Sequence, residues 1–181
     1  DEAGTFVHCA NAVVVESARI TNVDKVFTSA SLENRCAKYK VVFPLMERVL
    51  EPELMNDEAQ SLAYAKADFS ASNQLFVDGL VRGFPSHLGA VVDLGCGPGD
   101  VDTRLARAEL EATITAVDGS APMIALAQRA VRDAGLADRI TLWHGVLPGL
   151  PLAERGFDAG VSKDLLQHLP DPSALWAELA R

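Results

Sequence analysis

The stretch Val91-Val92-Asp93-Leu94-Gly95-Cys96-Gly97-Pro98-Gly99-Asp100 constrains this chain more than any other. A β-branched apolar run ends in an acid, three glycines fall at alternate positions, and a polar segment follows. The pattern predicts a buried strand, a tight turn and a helix. Glycine at every second position gives the backbone φ > 0 and keeps Cβ atoms away from a ligand. It also predicts free amide N–H groups at the helix start, where an anionic group can sit. A dinucleotide-binding loop, G-x-G-x-x-G, needs its third glycine at position 100. Asp100 stands there, and its carboxylate opposes a pyrophosphate. A nicotinamide-dependent oxidoreductase thus fits the fold class but fails at this residue. A glycine-rich turn that binds nothing is the plainer alternative.

Around this loop the chain alternates strand and helix, the mark of an α/β fold. Ala90–Leu94 is the first predicted strand and 100–109 the first helix, with Val101, Leu105 and Ala108 on one face. A second strand, 112–117, runs into Asp118. Ser120 then caps a helix that carries Pro122 in its first turn and stops at Gly135. Strands at 139–144 and 157–162 and a helix from Asp171-Pro172 complete the pattern. In a right-handed βαβ unit the carboxyl ends of consecutive strands open into one crevice, so Asp118 faces the glycine loop.

The D-x-G-x-G-x-G spacing, with an acid closing the next strand, resembles the class I S-adenosylmethionine-dependent methyltransferases of the small bacterial type. The resemblance implies a Rossmann-like parallel sheet and S-adenosyl-L-methionine as cofactor. Asp93, Gly95, Cys96, Gly97 and Gly99 would then hold its amino-acid end. Asp118 and Gly119 would meet the ribose, and Gly145 and Val146 the adenine. Relatives commonly place an acid after the third strand; Trp143-His144-Gly145-Val146-Leu147-Pro148 has none, so backbone groups and apolar packing substitute. His144 reads as a strand-end residue. The segment Phe157 to Leu169 resembles the family's fourth strand and following loop, with Lys163-Asp164 as a departure. There His168 is a candidate to contact the acceptor or act as a base, or else a packed helix-end histidine. No catalytic dyad is expected, because methyl transfer from an activated sulfonium needs chiefly positioning.

Before the core, residues 44–85 read as helical, with Asn56 as an N-cap and Ser72 capping a helix that Gly83 stops. The run 51–69 resembles the helical cap of these enzymes, and Tyr64, Phe69 and Asn73 are candidates for its pocket lining or for ordinary packing. The expected organisation is an N-terminal extension (1–43), a helical cap (44–85) and an α/β core (86–181). Pro44 marks the first boundary. The extension contains eight valines and no proline, and Val13–Ile20 and Val41–Phe43 are possible strands without good turn signals. His8 and Cys9 lack a second spaced pair, so no metal site is expected. The resemblance implies seven strands, of which this chain supplies four. It closes on Leu175-Trp176-Ala177-Glu178-Leu179-Ala180-Arg181 without a capping glycine. The expectation is a domain incomplete at its C-terminus, with an unpaired edge on the fourth strand.

Composition narrows the function classes. The net charge of −9 falls entirely after residue 43 and argues against nucleic-acid binding, which needs a basic footprint. No run approaches the roughly 18–20 apolar residues of a membrane span. Three cysteines without a C-x-x-C pair, and no visible signal peptide, point to the cytoplasm. The expected function is methyl transfer to a small-molecule acceptor. The alternative from another class is a non-catalytic cofactor-binding or interaction module. The acceptor and the oligomeric state are not legible.

Overall fold

The computed structural model describes residues 54–84 and 87–180, and the backbone of 12–16. His8, Cys9, Val41–Phe43, the Pro44 boundary and the first part of the expected cap lie outside the described residues. Five strands form one sheet: β1 (Ala12–Glu16), β2 (Ala90–Leu94), β3 (Thr113–Asp118), β4 (Ile140–His144) and β5 (Ala159–Lys163). Their order is β1-β5-β2-β3-β4. β5, β2, β3 and β4 run parallel, and β1 lies antiparallel on β5 with Val14 opposite Val161. The expected open edge on β5 is therefore a correction: part of the N-terminal extension covers it, and its valine-rich run forms a strand by pairing with β5 rather than by a local hairpin.

The helices are α1 (Glu58–Lys66), α2 (Ser70–Gly83), α3 (Asp100–Ala108), α4 (Ala121–Asp133) and α5 (Ser173–Leu179). Alternation along β2 sends its side chains to two cores. Val91 joins Val77 and Leu80 of α2, Leu105 of α3 and Val131 of α4. Val92 and Leu94 join Leu150, Leu169 and Leu175. Both faces of β2 are thus covered, which explains its nearly unbroken apolar sequence.

Several element ends differ from expectation for local reasons. Asp57, not Asn56, caps α1, its carboxylate accepting from the Gln60 amide at 2.8 Å. α2 starts at Ser70 because Asp68 accepts from the Ser70 amide at 3.0 Å. β5 starts after Asp158, whose carboxylate is used to accept from the Ala90 amide at 2.8 Å. Ser120 caps α4 as expected, accepting from the Met123 amide at 3.2 Å. The buried face of α3 holds Asp102, Leu105, Ala106 and Glu109, and Ala108 points to solvent. Val101 and Leu105 pack on the core as expected, Ala108 does not, and the buried i, i+3, i+4, i+7 stripe includes two acids.

Candidate functional site

The carboxyl ends of β2, β3 and β5 meet where the chain leaves β2 for one neighbour and returns on its other side. Crevices form at such a switch point. The turn after β2 carries Gly95, Gly97 and Gly99, all with positive φ. At Gly97 (φ +55°) a Cβ would meet no atom within 4 Å and would project into open space. At Gly99 (φ +81°) a Cβ would stand 3.1 Å from the Ala127 Cβ, so this glycine lets α3 approach α4.

The amides of the loop itself donate within the protein. The Gly95 and Cys96 amides donate to the Val117 carbonyl at 2.8 and 3.0 Å, and Gly99 donates to the Cys96 carbonyl at 3.1 Å. The Gly97 amide donates to Asp118 Oδ2 at 2.8 Å. The other carboxylate oxygen of Asp118 accepts from the Ser120 amide at 2.7 Å. One residue thereby ties the glycine loop to the start of α4. Burial pushes the Asp118 carboxyl up, while these two N–H donors and the nearby His144 and His168 pull it back toward the ionised form. Each oxygen keeps a lone pair for a further donor.

A cavity of about 350 Å³ opens beside the loop and is lined by Asp93, Gly95, Cys96, Gly97, Asn73 and Lys163, among others. Tyr64 and Phe69 also line it, their ring centroids 5.0 Å apart. The helical cap is fastened above this cavity through Asp100. Its carboxylate accepts from Asn73 Nδ2 at 2.9 Å and Arg104 Nε at 2.7 Å, and Arg104 reaches on to Gln74 at 2.8 Å. The acid that stands in place of a dinucleotide loop's third glycine is therefore the anchor of the cap. Lys163 and Asp164 line the crevice as an ion pair, and Asp164 holds a positive φ of 60°. Burial, and then the charges of Asp164 and Asp118, push the Tyr64 phenol up, so it keeps its proton. The Cys96 thiol is pushed well up by burial and by Asp102, Asp93 and Asp118, and stays protonated.

Asp118, Gly119, Gly145 and Val146 form a second group, at the ends of β3 and β4. The Gly145 amide donates to the Asp118 carbonyl at 3.0 Å, and His144 Nε2 pairs with the Gly119 carbonyl at 2.9 Å. His144 is thus a strand-end fastener. Over this group lies a strap that the sequence did not disclose. The Met55 carbonyl accepts from Ser61 Oγ at 2.7 Å and Ser120 Oγ at 2.6 Å. Beside it, Leu54 Cδ2 stands 2.6 Å from where a Gly119 Cβ would be, and Val146 Cγ2 stands 3.4 Å from the same point. Leu54 and Val146 remain 48% and 55% exposed, leaving an apolar surface there. His168 ends a single 3-10 turn, Leu166–His168, and does not line the 350 Å³ cavity. Among the described residues, no group of three or more His, Cys, Asp or Glu side chains can hold a metal ion. No helix among them is long and apolar enough to cross a membrane.

Comparison with known proteins gives the family and the fold. Residues 91–181 match the model of a family described as a methyltransferase domain. A demethylmenaquinone methyltransferase of Lactiplantibacillus plantarum is 39% identical over 93 residues, covering 50% of this chain and 39% of that protein. A malonyl-[acyl-carrier protein] O-methyltransferase of Priestia megaterium is 32% identical over 124 residues, covering 68% of this chain and 43% of that protein. The chain thus spans less than half the length of these relatives. Among solved structures, a Methanococcus maripaludis protein described as an S-adenosyl-L-methionine-dependent methyltransferase superposes with a TM-score of 0.66. It is 24% identical, with 74% of this chain and 62% of that chain covered, and shares the fold.

Proposed function

Because this chain belongs to the methyltransferase-domain family, we propose that it binds S-adenosylmethionine and transfers its methyl group to a small-molecule acceptor. The observation that carries the reading is Asp118. It is a half-buried carboxylate at the end of β3, fixed by the Gly97 and Ser120 amides and keeping lone pairs for two hydroxyl donors. The fit of the remaining residues supports it. The space above Gly97 admits a ligand because no Cβ stands there. The cavity at the loop offers Asp93 to an ammonium group, and Lys163 can meet a carboxylate. The Leu54, Gly119 and Val146 surface offers apolar contact to a flat ring and requires no acid after β4.

The cofactor, when bound, supplies an activated methyl group on a sulfonium. The chain's own part is positioning. Asp118 orients the ribose hydroxyls, the glycine loop allows close approach, and the cap helices exclude water from the cavity. Tyr64, held neutral, forms a wall with Phe69 and can donate a hydrogen bond to an acceptor. His168, in the turn after β5, lies outside the cavity and remains a candidate for contact with the acceptor. The protein's acidity disfavours nucleic acid as acceptor, and the buried free thiol of Cys96 fits a reducing cytoplasm.

Calorimetric titration with S-adenosylmethionine, S-adenosylhomocysteine and NAD tests the reading. Saturable binding of the first two and none of NAD is expected. Binding of NAD alone would overturn it. Transfer of a labelled methyl group to a panel of small acceptors then separates an enzyme from a binding module.

A further inference from the structure

One pair of groups beneath the glycine loop has no part in holding the fold together by ordinary hydrogen bonds. Asp93, on β2, is 3% exposed and lines the cavity; Asp102, in the first turn of α3, is 1% exposed. Apart from its own backbone amide, neither oxygen of Asp102 meets an N–H or O–H donor among the described residues. The Asp93 carboxyl lies within hydrogen-bonding reach of it. Two bare carboxylates side by side at this depth are costly, because their repulsion is poorly screened and Asp102 has no donor beyond its own backbone amide. One proton held between them removes both faults.

The surroundings supply no other remedy. Asp118 faces the pair from β3, Cys96 from the loop and Asp100 from α3 itself. Lys163 of β5 acts on Asp93 but is already paired with Asp164, Arg104 is taken up by Asp100, and His144 and His168 act on Asp118. Burial pushes both carboxyls up, Asp102 to about 7 and Asp93 well above the carboxylate range, the latter raised further by the neighbouring Asp102 and Asp118.

We infer that Asp93 and Asp102 share a single proton under the glycine loop, and that a cationic ligand entering the crevice expels it. The identity of that ligand, the ammonium end of S-adenosylmethionine, rests on the function proposed above. In the empty site Asp93 carries the proton and donates it to Asp102. When an ammonium group reaches Asp93, the O–H bond breaks, its electron pair stays on oxygen and the proton passes to the solvent. Asp102 does not line the cavity, so it is a positioning residue that acts through Asp93. Its position makes ligand affinity depend on pH across the neutral range.

The test uses S-adenosylhomocysteine, which carries the same ammonium group and cannot react. It is titrated calorimetrically in phosphate and in Tris, whose different ionisation enthalpies count the protons released. Proton release near neutrality is expected, with affinity rising by up to about tenfold per pH unit below the pair's titration point. In Asp102→Asn, an amide donor replaces the shared proton, so release should vanish and the affinity profile flatten. Equal release and equal profiles in the two proteins would overturn the inference. Carboxyl-carbon NMR of the ligand-free wild-type chain decides the pair independently of any variant's folding. A carboxyl step near neutral pH supports it, and ordinary carboxylate titration of both residues overturns it. Failure of the ligand to bind at any pH overturns the functional reading, and with it the expulsion step, while the NMR titration still decides the shared proton.

Discussion

The carboxylate of Asp118 accepts the Gly97 amide at 2.8 Å, joining the end of β3 to the turn after β2. The loop's shape and the acid at the next strand are therefore one unit. Removing the side chain should loosen the loop as well as delete a ligand contact. Asp118→Ala is expected to weaken S-adenosylmethionine binding by roughly 1.5–3 kcal/mol, the range for hydrogen bonds to a charged group. Calorimetry on the folded variant checks this, and unchanged affinity would remove Asp118 from the site.

Gly97 and Gly99 should fail in different ways when enlarged. Gly97→Val strains a φ of +55° and so costs some stability, but its branches enter the open crevice. Ligand binding should therefore be lost, and melting should no longer respond to ligand, while far-UV circular dichroism stays native. Gly99→Val would press on Ala127, 3.1 Å from a Cβ, at the contact of α3 with α4. That variant should lose thermal stability whether or not ligand is present. Paired melting curves with and without S-adenosylhomocysteine distinguish the two outcomes.

Asp102 carries a stability signature of defined sign. Its folded-state pKa is raised from 3.8 to about 7, so the native chain holds a proton that the unfolded chain releases. This contribution is present in full below the unfolded value and is lost as pH rises toward neutrality. Asp102→Asn removes the titration. The melting temperature of the variant relative to wild type should therefore climb between about pH 4 and 7. A constant difference across that window would show that Asp102 is an ordinary carboxylate.

Asp100 should prove structural. Asp100→Ala strips the partner from Asn73, which is buried, and from Arg104, which is part exposed. The ion pair contributes little at such exposure, whereas an unpartnered buried amide costs about 1–3 kcal/mol. Urea denaturation should give a loss in that range. A loss near zero would mean that the cap is held by its apolar face alone.

What the sequence disclosed and what it hid divide along physical lines. β2, β3 and α4 were legible because each carries its own local signal: a continuous apolar run, an acid at a strand end, a serine cap with proline behind it. The family resemblance rested on the same short stretches. Asp102 was hidden because hydrophobic periodicity counts a charged residue as an exposed one, so the stripe through Val101 and Leu105 was continued to Ala108 instead. The Leu54–Met55 strap was hidden for another reason. Its fastening is a backbone carbonyl shared by Ser61 and Ser120, and a carbonyl leaves no mark in a sequence. β1 was visible as a valine run, but nothing local could name β5 as its partner.

That partnership bears on how the molecule comes together. Val14 lies opposite Val161, although most of the chain runs between them. During synthesis β1 leaves the ribosome long before the strand it pairs with exists. β2, β3 and β4 follow one another and join as neighbours, each pairing closed by a short crossover. Bringing β1 to β5 closes a far larger loop, whose entropy the local contacts must offset first. Assembly therefore spreads outward from β2 and β3, and the seam between the earliest and latest of the described strands is the last to close.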